Sequence, residues 1–180
     1  MSCPEFQLRP ALAADLDAIV ALERATPTAS RWSPAVYAAA LASAAEAETA
    51  PPQAPAPRRC LIVAHTGGSL AGFAVGSAPP SPRVPAAGLG LQPRLSQVAE
   101  LETVVVATSA RRVGIGRALC TAVLVWCRAQ GATAVVLEVR ADSAGTIALY
   151  AALGFILAGR RPHYYRDPED DALLLRLDLN

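Results

Sequence analysis

Residues 111–119 of the chain read RRVGIGRAL. They follow an apolar, β-branched run that ends at Val106, and they open a long amphipathic segment that ends at Gly131. This order predicts a strand, a glycine-bearing turn and a helix. The start of a helix leaves backbone N–H groups without an intrahelical partner at the positive end of its dipole. Because Gly114 and Gly116 lack a Cβ, a bulky anion can approach this backbone closely, so the stretch predicts a pyrophosphate site.

The spacing of the two glycines separates three kinds of pyrophosphate site. A nucleotide P-loop requires a lysine directly after its last glycine, and none stands there. A dinucleotide-binding turn requires a third glycine, whereas Ala118 and Leu119 follow Gly116. The remaining pattern is an arginine or glutamine, two variable residues, a glycine, one variable residue and a glycine or alanine. Residues 111–116 fill it, and it resembles the acetyl-CoA signature of the GNAT superfamily of N-acetyltransferases.

Three other stretches carry the same resemblance in the same order along the chain. Residues 137–155, LEVRADSAGTIALYAALGF, resemble the second GNAT motif. Residues 159–179, GRRPHYYRDPEDDALLLRLDL, resemble the end of the bacterial ribosomal-protein-alanine N-acetyltransferases. Residues 8–23 are similar to the first strand and helix of that family, and Arg31-Trp32-Ser33 stands where the family has Pro-Trp-Ser. Only two Pro/Ala-rich stretches, near 50–59 and 79–97, lie outside the resemblance.

The resemblance and the periodicity together predict one α/β (α+β) domain over residues 5–180. Its GNAT fold has a mixed central sheet of about six to seven strands, helices on both faces and a V-shaped splay between two parallel strands. A Pro/Ala-rich connection is expected at residues 49–59 and a Pro/Gly-rich loop insertion at 79–97. The clearest predicted strands and helices are Phe6–Arg9, Asp15–Ala25, Pro34–Glu48, Cys60–His65, Leu70–Gly76, Val98–Val106, Val135–Arg140 and Ala144–Leu153.

Composition narrows the classes of protein that fit. The chain has 180 residues, of which 53% are hydrophobic, enough for the core of one domain. A net charge of +1 provides no basic field for nucleic acid, no apolar run is long enough to span a membrane, and the first residues do not form a signal peptide. The two histidines and scattered acids show no metal-ligand spacing. Cys3, Cys60, Cys120 and Cys127 form no C-x-x-C pair, so we expect reduced thiols in a cytoplasmic protein.

The resemblance implies that acetyl-CoA lies in the splay. The strand that ends at Val106 would bind its pantetheine and thioester carbonyl, and the N–H groups of Val113 to Ala118 would bind its pyrophosphate. Arg111 and Arg117 would add positive charge, while Arg112 would face solvent. Ser143 replaces the asparagine that the family uses at the pantetheine, which predicts a weaker contact. The complete set of implied cofactor residues is Val104, Val105, Val106, Arg111, Arg112, Val113, Gly114, Ile115, Gly116, Arg117, Ala118, Ser143 and Tyr150.

Glu138 is the first candidate for the general base. Side chains alternate along a strand, so Glu138 and Val136 share the face opposite Val135, Leu137 and Val139. An unpartnered acid inside so apolar a strand is costly when buried. Periodicity alone also allows a solvated position or an ion pair with Arg140, whereas the resemblance implies the base. Glu102 on the preceding strand is the competing base, and Glu100 is a third candidate.

Tyr150 is the candidate general acid, because the resemblance places its hydroxyl near the sulfur of CoA. An ordinary tyrosine pKa near 10 keeps that hydroxyl protonated at neutral pH. Spacing alone also allows a core aromatic that shares a helix face with Ile147 and Leu153. On the acceptor side, the resemblance assigns substrate contacts to Tyr164 and Tyr165, which also suit a simple hairpin tip. Trp32 either lines the acceptor side with Glu102 or staples the first two helices.

These assignments predict an acetyl-CoA-dependent N-acetyltransferase that works by direct attack of a primary amine. The acceptor implied by the resemblance is a protein N-terminus, with alanine of a ribosomal protein as the target. A small-molecule amine acetyltransferase, acting on an aminoglycoside, a polyamine or an amino acid, is the alternative. A non-catalytic acyl-CoA-binding module is a third possibility. The protein is expected to be a monomer or a homodimer.

Overall fold

A computed structural model of the chain describes residues 5–27, 32–46, 58–79 and 97–179. Within these ranges the chain forms seven strands and four α-helices. In chain order they are β1 (Gln7–Pro10), α1 (Leu16–Arg24), α2 (Pro34–Glu46), β2 (Arg58–Thr66), β3 (Ser69–Ala78), β4 (Val98–Val106), α3 (Ile115–Ala129), β5 (Ala134–Arg140), α4 (Ala144–Ala152), β6 (Ile156–Arg166) and β7 (Glu169–Asp178).

The strands form one mixed sheet in the order β1-β2-β3-β4-β5-β7-β6. The β4–β5 pair is parallel and the other neighbouring pairs are antiparallel. One core, around Ile19, Tyr37 and Phe73, packs α1 and α2 on one face, and a second core, around Leu119 and Val123, packs α3 and α4 on the other. The predicted mixed sheet with helices on both faces is confirmed.

The two parallel strands separate soon after they meet. Val98, Ala99 and Glu100 of β4 pair with Ala134, Val135 and Val136 of β5. Among the described residues no further pair joins these strands, although β4 continues to Val106 and β5 to Arg140. Beyond Glu100 the sheet edges that face each other therefore have backbone groups available to a ligand. This is the predicted V-shaped splay.

A β-bulge at Glu102 changes which face of the sheet β4 presents. Thr103 pairs with Val75 and Leu101 pairs with Gly76, so Glu102 is an extra residue on β4. Leu101 packs in the core under α3, whereas Val105 packs in the core under α1 and α2. In a regular strand these two side chains would share a face. The bulge lets one strand contribute to both cores.

The structure corrects one predicted boundary. Arg58 and Arg59 belong to β2, where they pair with Ala78 and Ser77, so the Pro/Ala-rich connection does not extend to residue 59. Strand pairing overrides the local proline signal there because the neighbouring edge of β3 continues to Ala78. Residues 49–57 of the connection, residues 80–96 of the loop insertion and Cys3 lie outside the described residues.

The other predicted elements agree with the structure to within a few residues. The hairpin between β2 and β3 turns at Gly67 and Gly68, which both have positive φ angles. Cys60, Cys120 and Cys127 are buried free thiols, and burial raises their pKa values to about 12, about 12 and about 11. They are packing residues rather than nucleophiles. Across the described ranges, no helix combines the length and apolarity that crossing a membrane requires.

Candidate active site

The glycine turn lies between β4 and α3, where the sequence predicts it. Gly114 is the N-cap of α3 and has φ 91°, a left-handed conformation that favours glycine. Arg112 also has a positive φ, 67°. The helix begins at Ile115, and the Ala118 N–H already donates to the Gly114 carbonyl at 3.0 Å. The motif predicts Ala118 as an anion donor, but its N–H is used inside the helix, so the available donors end at Arg117.

Positive charge surrounds this turn. Arg111, Arg112 and Arg117 are all exposed, and the Arg111 Nε donates to the Val106 carbonyl at 3.2 Å. That bond ties the turn to the end of β4. A Cβ at Gly116 would lie 3.5 Å from Leu149 Cδ2 of α4 and 3.7 Å from Val106 Cγ2. The first turn of α3 therefore packs close to both the end of β4 and α4 at Gly116.

Residues Val104 to Val106 form the outer part of β4 in the splay. Val105 is buried under α1 and α2, while Val104 and Val106 are half-buried and pack on the core under α3. Their backbone lies beyond the last pair with β5, so an extended ligand can hydrogen-bond along it. The three cofactor residues expected on this strand therefore border the splay.

Tyr150 lies on α4 and packs in the core between the sheet and the helices α3 and α4. It is 7% exposed, and its ring centroid lies 5.7 Å from that of Phe155. Burial raises the pKa of Tyr150 well above its usual range, with smaller contributions from Cys120 and Tyr165. The phenol therefore stays protonated. The two roles that the sequence leaves open are compatible, because the ring packs in the core and the hydroxyl can donate a proton at neutral pH.

Ser143 precedes α4 and is its N-cap. Its Oγ lies 3.4 Å from the Asp142 Oδ1, to which it donates, and its carbonyl accepts the N–H groups of Thr146 and Ile147. The side chain makes no cap hydrogen bond to the helix backbone. A short hydroxyl directed at its own neighbour is consistent with the weaker pantetheine contact expected from the loss of the family asparagine.

Glu138 lies on β5 in the splayed region, and its partner is on β6. The Arg161 Nη1 lies 2.5 Å from the Glu138 Oε1. The Tyr164 hydroxyl hydrogen-bonds to Glu138, which raises the pKa of this tyrosine. The alternative of an ion pair with Arg140 is wrong. Arg140 instead donates to the carbonyls of Pro168 at 2.9 Å and Asp167 at 3.1 Å, because the β6–β7 hairpin lies over it.

Glu102, the competing base, is already held by an arginine. The Arg59 Nε lies 3.0 Å and 3.2 Å from the two carboxylate oxygens, and its Nη2 lies 3.0 Å from Oε1. The side chain of Glu102 is only 10% exposed. Glu100, next to it at the vertex of the splay, keeps contact with solvent. Desolvation raises the pKa of Glu100, and the carboxylates of Glu102 and Glu138 raise it further.

The two tyrosines of the β6–β7 hairpin differ in exposure. Tyr164 is 48% exposed, whereas Tyr165 is half-buried beneath the Arg140 guanidinium, 4.1 Å from the ring centroid. Their rings meet edge to face with centroids 5.1 Å apart. Burial raises the pKa of Tyr165, as does the charge of Glu138. Both aromatic rings thus lie beside Glu138, with Tyr164 on the solvent side.

Trp32 belongs to the contact between the first two helices. Its backbone N–H donates to the Glu23 carboxylate at 3.0 Å, and its ring centroid lies 5.4 Å from that of Tyr37. Glu23 is on α1 and Tyr37 is on α2, and the Tyr37 hydroxyl donates to Glu23 at 2.5 Å. Of the two roles left open for Trp32, this geometry favours the one in which it joins the first two helices.

Sequence reasoning missed the two arginines that partner the candidate bases. Arg161 stands within the RRxxYY pattern, and Arg59 lies at the start of β2, 43 residues before Glu102. Once β6 is paired with β7, side-chain alternation indicates Arg161 as the partner of Glu138. Arg161 pairs with Ala172 and therefore lies on the same face of the sheet as Glu138. No group of three or more His, Cys, Asp or Glu residues in the described part of the chain is arranged to hold a metal ion.

A model of the Acetyltransferase (GNAT) family matches residues 21–155. An N-alpha-acetyltransferase RimI of Mycobacterium tuberculosis is 32% identical over 147 residues, which are 82% of this chain and 75% of that protein. A ribosomal protein bS18-alanine N-acetyltransferase of Escherichia coli is 39% identical over 72 residues, 39% of this chain. This chain spans only 49% of that relative's length.

A crystal structure shows a similar fold. The ribosomal-protein-S18-alanine N-acetyltransferase of Escherichia coli superposes with a TM-score of 0.68 at 25% sequence identity. The superposition covers 98% of this chain and 95% of that one. The likeness therefore extends over nearly the whole of both chains rather than over the glycine turn alone.

Proposed function

Because this chain belongs to the acetyltransferase (GNAT) family, we propose that it transfers the acetyl group of acetyl-CoA to the N-terminal α-amine of a protein, with alanine of a ribosomal protein as the preferred target. The observation that carries the proposal is the position of Glu138. It lies on β5 two residues beyond the last β4–β5 pair, where the strands separate, beside an exposed tyrosine and an arginine. The named activities of the two relatives support this acceptor.

The residues present fit acetyl-CoA. The diphosphate would lie against the first-turn N–H groups of α3, near Arg111 and Arg117, and the pantetheine along Val104 to Val106. The hydrogen bond from Arg111 to the Val106 carbonyl joins the glycine turn to the end of β4, so these two parts of the site keep fixed positions relative to each other. Acetyl-CoA supplies the reactive thioester and the thiolate leaving group. The protein has to position the amine, remove a proton from it and return one to the sulfur.

Glu138 is the proposed general base. An amine must be neutral to attack a carbonyl carbon, and a carboxylate within hydrogen-bond reach, directly or through one water, can accept its proton. Arg161 and Tyr164 both contact this carboxylate, so they fix its position before the acceptor arrives. Glu102 is a poorer candidate because Arg59 occupies both of its oxygens.

Tyr150 is the proposed general acid. Its buried phenol remains protonated at every pH at which the protein is expected to work, since burial raises its pKa above the ordinary value. It approaches the splay from α4, whereas Glu138 approaches from the opposite face of β5. An acid and a base on opposite sides of the same gap suit a single direct transfer, with no acetylated side chain in between.

The charges of the acceptor side separate this function from acetylation of a small polycation. Glu138 and Glu102 are each paired with an arginine, which leaves Glu100 as the main source of the negative charge that a polyamine or an aminoglycoside would favour. The acids of the hairpin are also engaged. Asp171 binds Arg160, and Asp170 accepts the N–H groups of Asp142 and Asp171.

The test is consumption of acetyl-CoA against a panel of acceptors. The panel contains a peptide with a free Ala-Arg N-terminus, the same peptide blocked at its N-terminus but carrying lysine, a polyamine and an aminoglycoside. Turnover of the free peptide alone supports the proposal. Turnover of a small amine instead would keep the acetyl-CoA chemistry and discard the protein acceptor. Binding of acetyl-CoA with no turnover of any amine would point to the non-catalytic module.

A further inference from the structure

Strand β6 carries an irregularity directly beside the candidate base. Arg161 pairs with Ala172 and Tyr165 pairs with Asp170, so residues 162–164 of β6 face the single residue Asp171 of β7. Two extra residues are thus accommodated on β6. The extra length forms a bulge of Pro162, His163 and Tyr164, and a bulge of this kind redirects the side chains that flank it.

Asp171 holds this bulge at two points. Its Oδ1 accepts the backbone N–H of His163 at 2.8 Å, and its Oδ2 accepts the Nε of Arg160 at 2.5 Å. The same two groups lower the pKa of Asp171, so its carboxylate is charged at neutral pH. His163 has φ 54°, a left-handed backbone conformation that is uncommon for residues other than glycine. The hydrogen bond from its N–H to Asp171 helps to stabilise this conformation.

The side chain of Asp171 lies on the opposite face of the sheet from Glu138. By strand alternation Asp171 shares a face with Leu173 and Leu175, which pack on the core under α3. Arg161 pairs with Ala172 and lies on the face of Glu138. Asp171 therefore cannot act on the acceptor directly. It can act only through the shape of the bulge, which directly follows Arg161 and ends at Tyr164.

We propose that Asp171 is a positioning residue for the acceptor side of the site. By anchoring His163 and Arg160 from the far face, it aims Arg161 and Tyr164 at the Glu138 carboxylate. The proposal rests on the function proposed above, in which Glu138 is the base and the hairpin contacts the acceptor. In this proposal the side chain of Asp171, which lies outside the cleft, keeps the side chains of Glu138, Arg161 and Tyr164 in one arrangement inside it.

The test compares Asp171→Ala with Asp171→Asn and with Asp178→Asn as a matched control. Asparagine keeps an oxygen for the His163 N–H but loses the charge for Arg160. Asp178 is on the same strand and binds Arg176 at 2.7 Å, on the exposed end of the sheet. We expect Asp171→Ala to raise the acceptor KM about tenfold or more, with the acetyl-CoA KM unchanged. Asp171→Asn should give a smaller increase and Asp178→Asn none.

A second measurement does not depend on turnover. The ¹³C chemical shift of the Glu138 carboxyl group should change in Asp171→Ala and remain at its wild-type value in Asp178→Asn. If Asp171→Ala folds, keeps the wild-type carboxyl shift and keeps the wild-type acceptor KM, the proposal is overturned. If Asp171→Ala does not fold, Asp171→Asn decides by the same two readouts. If the wild-type protein acetylates no N-terminal amine, the proposed function fails. The ¹³C chemical shift of the Glu138 carboxyl group then decides alone whether Asp171 positions Arg161 and Tyr164.

Discussion

Arg161 on β6 reaches across β7 to place its Nη1 2.5 Å from the Oε1 of Glu138 on β5. The register explains the reach, because Arg161 pairs with Ala172 and Glu138 pairs with Leu174, two residues further along the same face of β7. The proposed base is thus ion-paired before any acceptor binds. An incoming ammonium group competes with a guanidinium for the same carboxylate, which favours acceptors that bring additional contacts of their own.

Replacing Glu138 with glutamine should lower kcat by about 100-fold or more, since the amide cannot accept the proton. The acetyl-CoA KM should stay near its wild-type value, because the proposed role of Glu138 is toward the acceptor amine rather than the cofactor. Steady-state kinetics with the free-N-terminus peptide measures both constants. Glu102→Gln is the comparison. If Glu102→Gln lowers kcat strongly while Glu138→Gln leaves kcat unchanged, Glu102 rather than Glu138 is the general base.

Replacing Tyr150 with phenylalanine should lower kcat by about 10- to 100-fold and leave the melting temperature close to wild type, because the buried ring is retained. The pH dependence follows from the raised pKa of Tyr150. A raised pKa means that the phenol keeps its proton as the pH rises. The kcat of the wild-type protein should therefore show no fall between pH 7 and about 10 from loss of the acid. A descending limb in this range that disappears in Tyr150→Phe would contradict the raised pKa, and an unchanged kcat in Tyr150→Phe would contradict the role of Tyr150 as the acid.

The two glycines of the turn should respond differently to alanine. Gly114 has φ 91° with open space where a side chain would lie, so Gly114→Ala should cost about 1–2 kcal/mol of unfolding free energy through backbone strain. A methyl group at Gly116 meets only ordinary contacts, so Gly116→Ala should leave the protein at least as stable. Thermal unfolding separates the two effects.

Gly114→Ala should also raise the acetyl-CoA KM by distorting the N–H donors of the turn. Gly116→Ala should leave that KM near its wild-type value, because the signature accepts alanine at this position and a methyl group there meets only ordinary contacts. The acceptor KM serves as the internal control and should not change. An unaltered acetyl-CoA KM in Gly114→Ala would remove the diphosphate from this turn.

Asp15 should make the stability of the domain depend on acidic pH. Its carboxylate accepts two hydrogen bonds from Arg9, at 2.7 Å and 2.8 Å, and this arginine lowers the pKa of Asp15. A lowered pKa in the folded state stabilises the fold above the ordinary pKa of aspartate, and the stabilisation is lost as the pH falls through the lowered value. Denaturant unfolding from pH 7 to pH 2 should show the wild-type protein and Asp15→Asn converging at low pH. Parallel curves would show that the pair does not contribute.

The glycine turn, the order of elements and the face of Glu138 could be predicted from the sequence because each is a local property. Turn chemistry depends on a few adjacent residues, and strand alternation depends only on residue parity. The partners of the candidate acids could not be predicted in the same way. Arg59 meets Glu102 across three strands, and Arg161 meets Glu138 only because of the register between β6 and β7.

The N–H group of Ala118 is a second feature that the sequence motif does not predict correctly. Its place in the motif suggests an anion donor, but the first residue of α3 decides which N–H groups remain outside the helical ladder. Helix starts shift by one or two residues without any change in the motif. The same holds for Arg58 and Arg59, whose strand assignment comes from the length of β3 rather than from the prolines before them.

The bulge at Glu102 has a consequence for how this chain tolerates insertions and deletions. Removing Glu102 itself would make Leu101 and Thr103 consecutive residues opposite Gly76 and Val75, so every later side chain of the strand would keep its partner and its layer. Removing Val104 instead would move Val105 out of the layer of α1 and α2 and Val106 out of the layer of α3, because side chains alternate along a strand. The strand can therefore lose its one extra residue and keep its packing, whereas a deletion in its regularly paired part exchanges the two layers.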